Sequence, residues 1–227
     1  WLNNYLEGIN SDIYCETEDV IKVINESIKH LKFSQIKCYS TSFNLRDEDI
    51  EKSLYNFFIL FSIYKENYGS SFLFETNSTI SKSDNLLKDW VLKQEDLSDD
   101  LLEKCSIEVQ SILCKILRSE VESDIKNLNK KISDREKKIA ENHSKKAVYK
   151  TEMVRFKKEV DEVKTRENLV LIEINNRENL TDFVKRIRWS FENIESNKAL
   201  EVLKEKNLGL IRKISSIGDA PNTMLGR

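Results

Sequence analysis

Residues 121–163, VESDIKNLNKKISDREKKIAENHSKKAVYKTEMVRFKKEVDEV, decide how the chain is read. Val121, Ile125, Leu128 and Ile132 recur at alternating steps of four and three. Tyr149, Met153, Phe156, Val160 and Val163 resume the pattern beyond a polar interval, and Val170 and Ile174 extend it. Such alternation is the seam of one helix packed lengthwise on another. A reversal near Asn142–His143 sets Val121 against Val163, Ile125 against Val160, Leu128 against Phe156 and Ile132 against Met153. One turn thus brings every apolar rung into register, which predicts an antiparallel helical hairpin with its tip near 142–146. A single unbroken helix would keep the same heptad phase on both sides of the interval. It would also run about 100 Å with its stripe bare, at 1.5 Å per residue, so the hairpin is the preferred reading.

Composition extends the helical expectation outward. The 227 residues include five glycines and one proline, Pro221, with neither type between Ser70 and Leu208. Tight turns and strand ends draw on those residues, so the expected fold class is all-α, an elongated antiparallel long-helix bundle forming a rod-like dimer. A charged fraction of 33% against 39% hydrophobic suits thin helical packing with much solvated surface. The expected organisation is leading helices over 1–42, the bundle over 43–214 and a linker or tail over 215–227, where Gly218, Pro221 and Gly226 fall.

Taken in order, Tyr5, Val20, Ile24, Ile28 and Leu31 give the leading segment a modest stripe, and Ser34–Asn44 reads as a connector. Ile50, Leu54, Phe57, Phe58, Phe61, Tyr64 and Tyr68 form a wide, greasy stripe on a helix reaching to about Phe74. Ordinary core accounts for such a stripe, and a subunit interface is the alternative in a chain with so thin a core. A polar loop over Glu75–Asp84 ends with Ser83 or Asp84 as a helix cap. The next helix carries Leu86, Leu87, Trp90 and Val91 and leads, past a possible break at Leu97, into the first arm. Beyond Asn175, Leu180, Phe183, Val184, Ile187, Phe191 and Ile194 read as a continuation of the second arm.

Charge is unevenly spread. Residues 1–125 carry 13 basic and 23 acidic side chains, whereas residues 126–168 carry 14 basic and 8 acidic, a local net of +6. Cys15, Cys38, Cys105 and Cys114 lack CxxC spacing, so unpaired structural thiols in a reducing compartment are expected. No metal site, cofactor or catalytic constellation is expected: there is no Gly-rich phosphate loop, HExxH or GxSxG, and His30 and His143 stand apart. The acidic pairs at Asp47–Asp49 and Asp99–Asp100 suit helix starts.

The basic cluster is the one candidate functional surface. It comprises Lys130, Lys131, Arg135, Lys137, Lys138, Lys145, Lys146, Lys150, Arg155, Lys157 and Lys158. An aromatic helix, a Trp-containing helix at Leu86–Leu92 and two long basic arms together resemble a BAR or F-BAR superfamily domain over about three quarters of the chain. The resemblance implies a non-enzymatic, cytoplasmic, peripheral membrane-binding homodimer that senses or shapes curvature. Those basic residues would then be the lipid-binding set, each worth about 1 kcal/mol near an anionic leaflet. It also implies Phe57, Phe58, Phe61, Trp90, Ile112 and Ile116 as the dimer interface, with protein partners reached through other domains. No nucleic acid is expected, since few aromatics interleave with these lysines and no known motif appears. The rival expectation is a coiled-coil scaffold of a cytoskeletal, tethering or chromosome-attachment complex without lipid contact.

Overall fold

Two segments that alternate apolar and polar residues, HLKFSQIK and GSSFLFET, lie side by side as parallel strands and set the architecture. The computed structural model describes residues 11–15, 19–24, 30–37, 41–141 and 145–191. Its sheet has five strands in the order β1 (Ser11–Cys15), β2 (Asp19–Ile24), β3 (His30–Lys37), β4 (Gly69–Thr76) and β5 (Ile187–Phe191). The first three form an antiparallel meander, and β3, β4 and β5 run parallel. Parallel neighbours need crossover connections. Helix α1 (Glu48–Tyr64) supplies the first, while α2 (Asn85–Lys93), α3 (Asp99–Glu141), α4 (Lys146–Asn175) and α5 (Arg177–Lys185) fill the second.

The protein is therefore mostly helical but not all-α. Strands replace the leading helices expected before residue 42, β3 runs into the expected connector, and the greasy helix stops at Tyr64. The second arm ends at Asn175, and Ile187 and Phe191 belong to β5. Scarcity of Gly and Pro misled here because crossover helices, and not tight turns, join the parallel strands. The one glycine at a strand start has a steric reason. Gly69 pairs with His30, and a Cβ there would lie 2.7 Å from the His30 ring nitrogen.

One face of the sheet carries the core. Leu31 and Phe33 of β3, Phe72 and Phe74 of β4, and Ile187 and Trp189 of β5 are all buried on it. Phe57, Phe58 and Phe61 of α1 and Phe183 of α5 close over them. Phe183 sits 5.2 Å from Phe58 and 5.5 Å from both Phe61 and Phe72, centroid to centroid. These separations fall in the range where aromatic pairs add to simple burial. Trp90 of α2 meets Trp189 edge to face at 5.1 Å, and the Gln94 side chain bonds both backbone groups of Trp189. Asp84 joins two segments: its carboxylate accepts from Leu87 N at the start of α2 and from Leu45 N before α1.

The root of α3 enters this core through Cys105, Val109, Ile112, Leu113 and Leu117, whereas its outer part packs only on α4. Contacts along the pair run in antiparallel order. Gln110 bonds Asn175, Asp124 pairs with Arg166, Lys131 lies over Phe156, and Arg135 pairs with Glu152 and lies over Tyr149. No single straight helix could bring residue 124 to residue 166, about 60 Å along its axis at 1.5 Å per residue. The outer stretch is thus a two-helix hairpin set into the α/β domain between β4 and β5. Residues 142–144 at its tip, and the expected tail over 215–227, lie outside the described residues.

Candidate functional site

Strand pairing gathers polar residues at the carboxyl ends of the parallel strands. Asp19 of β2 is the register partner of Gln35 in β3, and Lys37, two residues on, is the partner of Thr76 in β4. Directly opposed residues share a face, as do residues two apart on one strand. Gln35, Lys37 and Thr76 therefore form a strip across β3 and β4, on the same face as Phe33 and Phe72, and Asp19 is the β2 residue in register with Gln35. In open sheets with parallel strands, ligands bind beyond the strand carboxyl ends.

The strip continues a core face with polar side chains. Gln35 is 3% exposed, Thr76 1%, Asn77 8% and Ser78 5%, a cluster of buried polar groups where the alternation calls for apolar ones. Gln35, Lys37 and Asn77 each have interaction partners. Ser78 N donates to Thr76 Oγ1, and Ser78 Oγ donates to the Thr41 carbonyl. A short bridge between Phe43 and Ile80, with Phe43 N to Thr79 O at 2.8 Å, pins the loop after β3 beside the loop after β4. Phe74, the register partner of Gln35, packs against Phe43 and Trp189 and forms the apolar floor. Among the described side chains, no three His, Cys, Asp or Glu converge as a metal-binding group. Gln35 and Lys37 bring an amide and an ammonium to the strip, and Asp19 stands opposite Gln35 in the β2–β3 register.

The residues singled out from sequence go to two other places. Phe57, Phe58, Phe61, Trp90 and Ile112, expected at a dimer interface, are each at most 3% exposed within the single chain, and Ile116 is partly buried against the same core. The five buried side chains are core residues of the protomer. The basic residues lie on the hairpin's outer part, where Lys130, Lys131, Lys137, Lys138, Lys145, Lys146, Lys150, Arg155, Lys157 and Lys158 are exposed and Arg135 is half-buried. Arg135, Arg155 and Lys158 are paired with Glu152, Glu159 and Glu162. His30 is not isolated, since its Nε2 lies 3.1 Å from Ser71 Oγ. Cys105 is a buried free thiol, and burial, with Asp89 adding to it, pushes its pKa up to about 12. Burial likewise raises the Tyr55 phenol, with its hydrogen bond to Glu120 in support.

Sequence reading missed Asp19, Gln35, Lys37 and Thr76. The available signal was the period-two run Leu31, Phe33, Gln35, Lys37 beside Ser70, Phe72, Phe74, Thr76, in which polar residues take over the apolar positions at the same end of both segments. Among the described residues no helix is long and apolar enough to cross a membrane. No known protein family, curated protein or solved structure matches the chain.

Proposed function

We propose that the chain is a divalent-cation-dependent phosphodiesterase acting on nucleic acid, with Asp19, Gln35 and Lys37 as its working residues. The observation that carries this is the register: Asp19 opposite Gln35, with Lys37 next on the same strand face at the carboxyl end of the parallel strands. A carboxylate and an amide oxygen are hard donors suited to Mg²⁺ or Mn²⁺. Mg²⁺ commonly takes only one or two carboxylates from the protein and completes its shell with water and substrate phosphate, which suits so small a donor set. Such an ion would lower the pKa of a bound water and neutralise charge on the phosphorus centre.

The chain's own groups divide the remaining work. Asp19 and Gln35 fix the position of the phosphate relative to the sheet. The Lys37 ammonium, along the same strip, faces the charge that builds on the phosphoryl oxygens and holds the attacking water in line. A water oxygen, giving up a proton to solvent, forms the new bond to phosphorus and the P–O ester bond breaks. The departing alkoxide gains a proton from solvent, leaving a phosphomonoester and an alcohol. This departs from the non-enzymatic role expected from sequence because the three residues become neighbours only through strand pairing. The expected membrane-binding, curvature-sensing dimer remains a competing proposal, supported by the exposed lysines of the hairpin, and liposome sedimentation tests it.

The direct assay incubates the full chain with plasmid DNA in Mg²⁺ or Mn²⁺ and follows nicking and linearisation. Cleavage with either ion, abolished by EDTA and lowered at least about 100-fold in Lys37→Ala, is the expected result. A folded wild-type chain that leaves DNA and RNA intact with both ions rules the reaction out.

A further inference from the structure

We infer that the outer, basic part of the α3–α4 hairpin is a clamp for the phosphate backbone of duplex DNA, held while the sheet site acts on it. The choice of polyanion rests on the phosphodiesterase reading above; the surface itself rests on independent observations. Lys150, Lys157 and Lys164 of α4 recur at heptad spacing, with Lys146 one turn before them, and all four are exposed. They form a row along one edge of the helix, about 10 Å between successive heptad positions at 1.5 Å per residue. Lys130 and Lys137 repeat the spacing on α3 and are exposed as well.

Ion pairing leaves these charges over. Among the hairpin's acids, Asp124, Glu152, Glu159 and Glu162 are engaged by Arg166, Arg135, Arg155 and Lys158, while Asp134, Glu136, Asp161 and Glu167 make no ion pair among the described residues. Lys130, Lys137, Lys146, Lys150, Lys157 and Lys164 make no ion pair among the described residues. Each pair removes one charge of either sign, so the +6 excess of residues 126–168 survives pairing, and the exposed lysines carry it.

The same surface selects among polyanions. Its two aromatic rings, Tyr149 and Phe156, are half-buried, with Arg135 and Lys131 lying over them. No exposed ring is available to stack a splayed base, as single-strand binding requires. Val148 and Val154 are the exposed apolar residues on this part of the arm, too small and too isolated for the Trp, Phe or Leu face that seats a helix in a bilayer. What remains is recognition of phosphates on a regular duplex, and the arm beyond Val121 spans about 30 Å, roughly nine base-pair steps.

The test measures binding of a fluorescent 24-base-pair DNA duplex to the full chain by anisotropy, in EDTA so that nothing is cut. Lys146, Lys150, Lys157 and Lys164 are changed together to Gln, and in a parallel variant to Arg. The Gln variant should bind about 100-fold or more weakly at 0.1 M salt, with the slope of log Kd against log salt smaller by about three to four; the Arg variant should bind like wild type. An unchanged slope in the Gln variant overturns the inference. So does tighter binding of single-stranded DNA, or retention on phosphatidylserine vesicles by a chain that ignores the duplex. Duplex binding without cleavage in Mg²⁺ would sink the sheet reaction and leave the clamp standing. Normal cleavage and unchanged KM in the Gln variant would sink the clamp and leave the reaction.

Discussion

Replacing Phe183 by Ala tests whether α5 is a lid on the sheet or the outer end of an arm. The ring is fully buried and sits 5.2–5.5 Å from three other rings, Phe58, Phe61 and Phe72, on two different elements. Deleting a buried Phe removes its transfer free energy and leaves a cavity, together about 3–5 kcal/mol. The upper half of that range applies here, because a rigid sheet on one side and a helix on the other limit collapse into the space. Coupling to Phe72 is the more selective quantity. The pair is T-shaped at 5.5 Å across the sheet–helix boundary, so a double-mutant cycle should return about 0.5–1.5 kcal/mol. Urea denaturation of the wild type, Phe183→Ala, Phe72→Ala and the double variant supplies all four terms. Phe156→Ala on the hairpin, where the ring is half-buried, should cost less than about 2 kcal/mol. A Phe183–Phe72 coupling indistinguishable from zero, with Phe156 costing as much as Phe183, would refute the α/β core.

Other expectations follow from named contacts. Asp84→Ala removes the acceptor of two backbone donors, Leu45 N and Leu87 N, and should cost about 2–3 kcal/mol in urea denaturation, with Asp84→Asn recovering part of it. Lys115→Met strips the 2.5 Å partner from Glu51, a carboxylate 2% exposed, and should destabilise by about 2 kcal/mol, less than for a fully buried pair because Lys115 is 60% exposed. Cys105 ionises near 9.0 when unfolded and near 12 when folded, so below pH 9 the thiol is neutral in both states and neutral to stability-versus-pH slope. Between those values the unfolded chain loses its proton first, and stability should fall as pH rises, a fall that Cys105→Ala reduces.

The hairpin was legible because its information is local: a three-four stripe, repeated on both sides of a lysine-rich interval, needs no knowledge of distant contacts. The sheet was not legible for the opposite reason. His30–Lys37 has only two apolar residues on its core face before Gln35 and Lys37 take over, so period two is short, and Phe72 and Phe74 could be absorbed into the aromatic stripe of α1. Phe57, Phe58 and Phe61 were read as greasy enough for a partner chain because the face that covers them, strand β4, was itself taken for helix. The site shared that fate. Asp19 and Gln35 are sixteen positions apart in sequence and meet only through the β2–β3 register, and neither residue type alone announces chemistry. The basic cluster was legible as charge, while its division into paired and unpaired lysines needed the geometry of the two arms.

Single-turnover cleavage of a DNA duplex in Mg²⁺ by three Gln35 variants decides whether this strand-end amide serves as an oxygen donor for phosphodiester hydrolysis. Gln35→Glu keeps an oxygen in place and should retain cleavage, Gln35→Leu keeps the volume without the oxygen and should lose about 100-fold or more, and Gln35→Ala should fall with Leu. Equal rates for Glu, Leu and wild type, in chains that fold alike, would rule that role out.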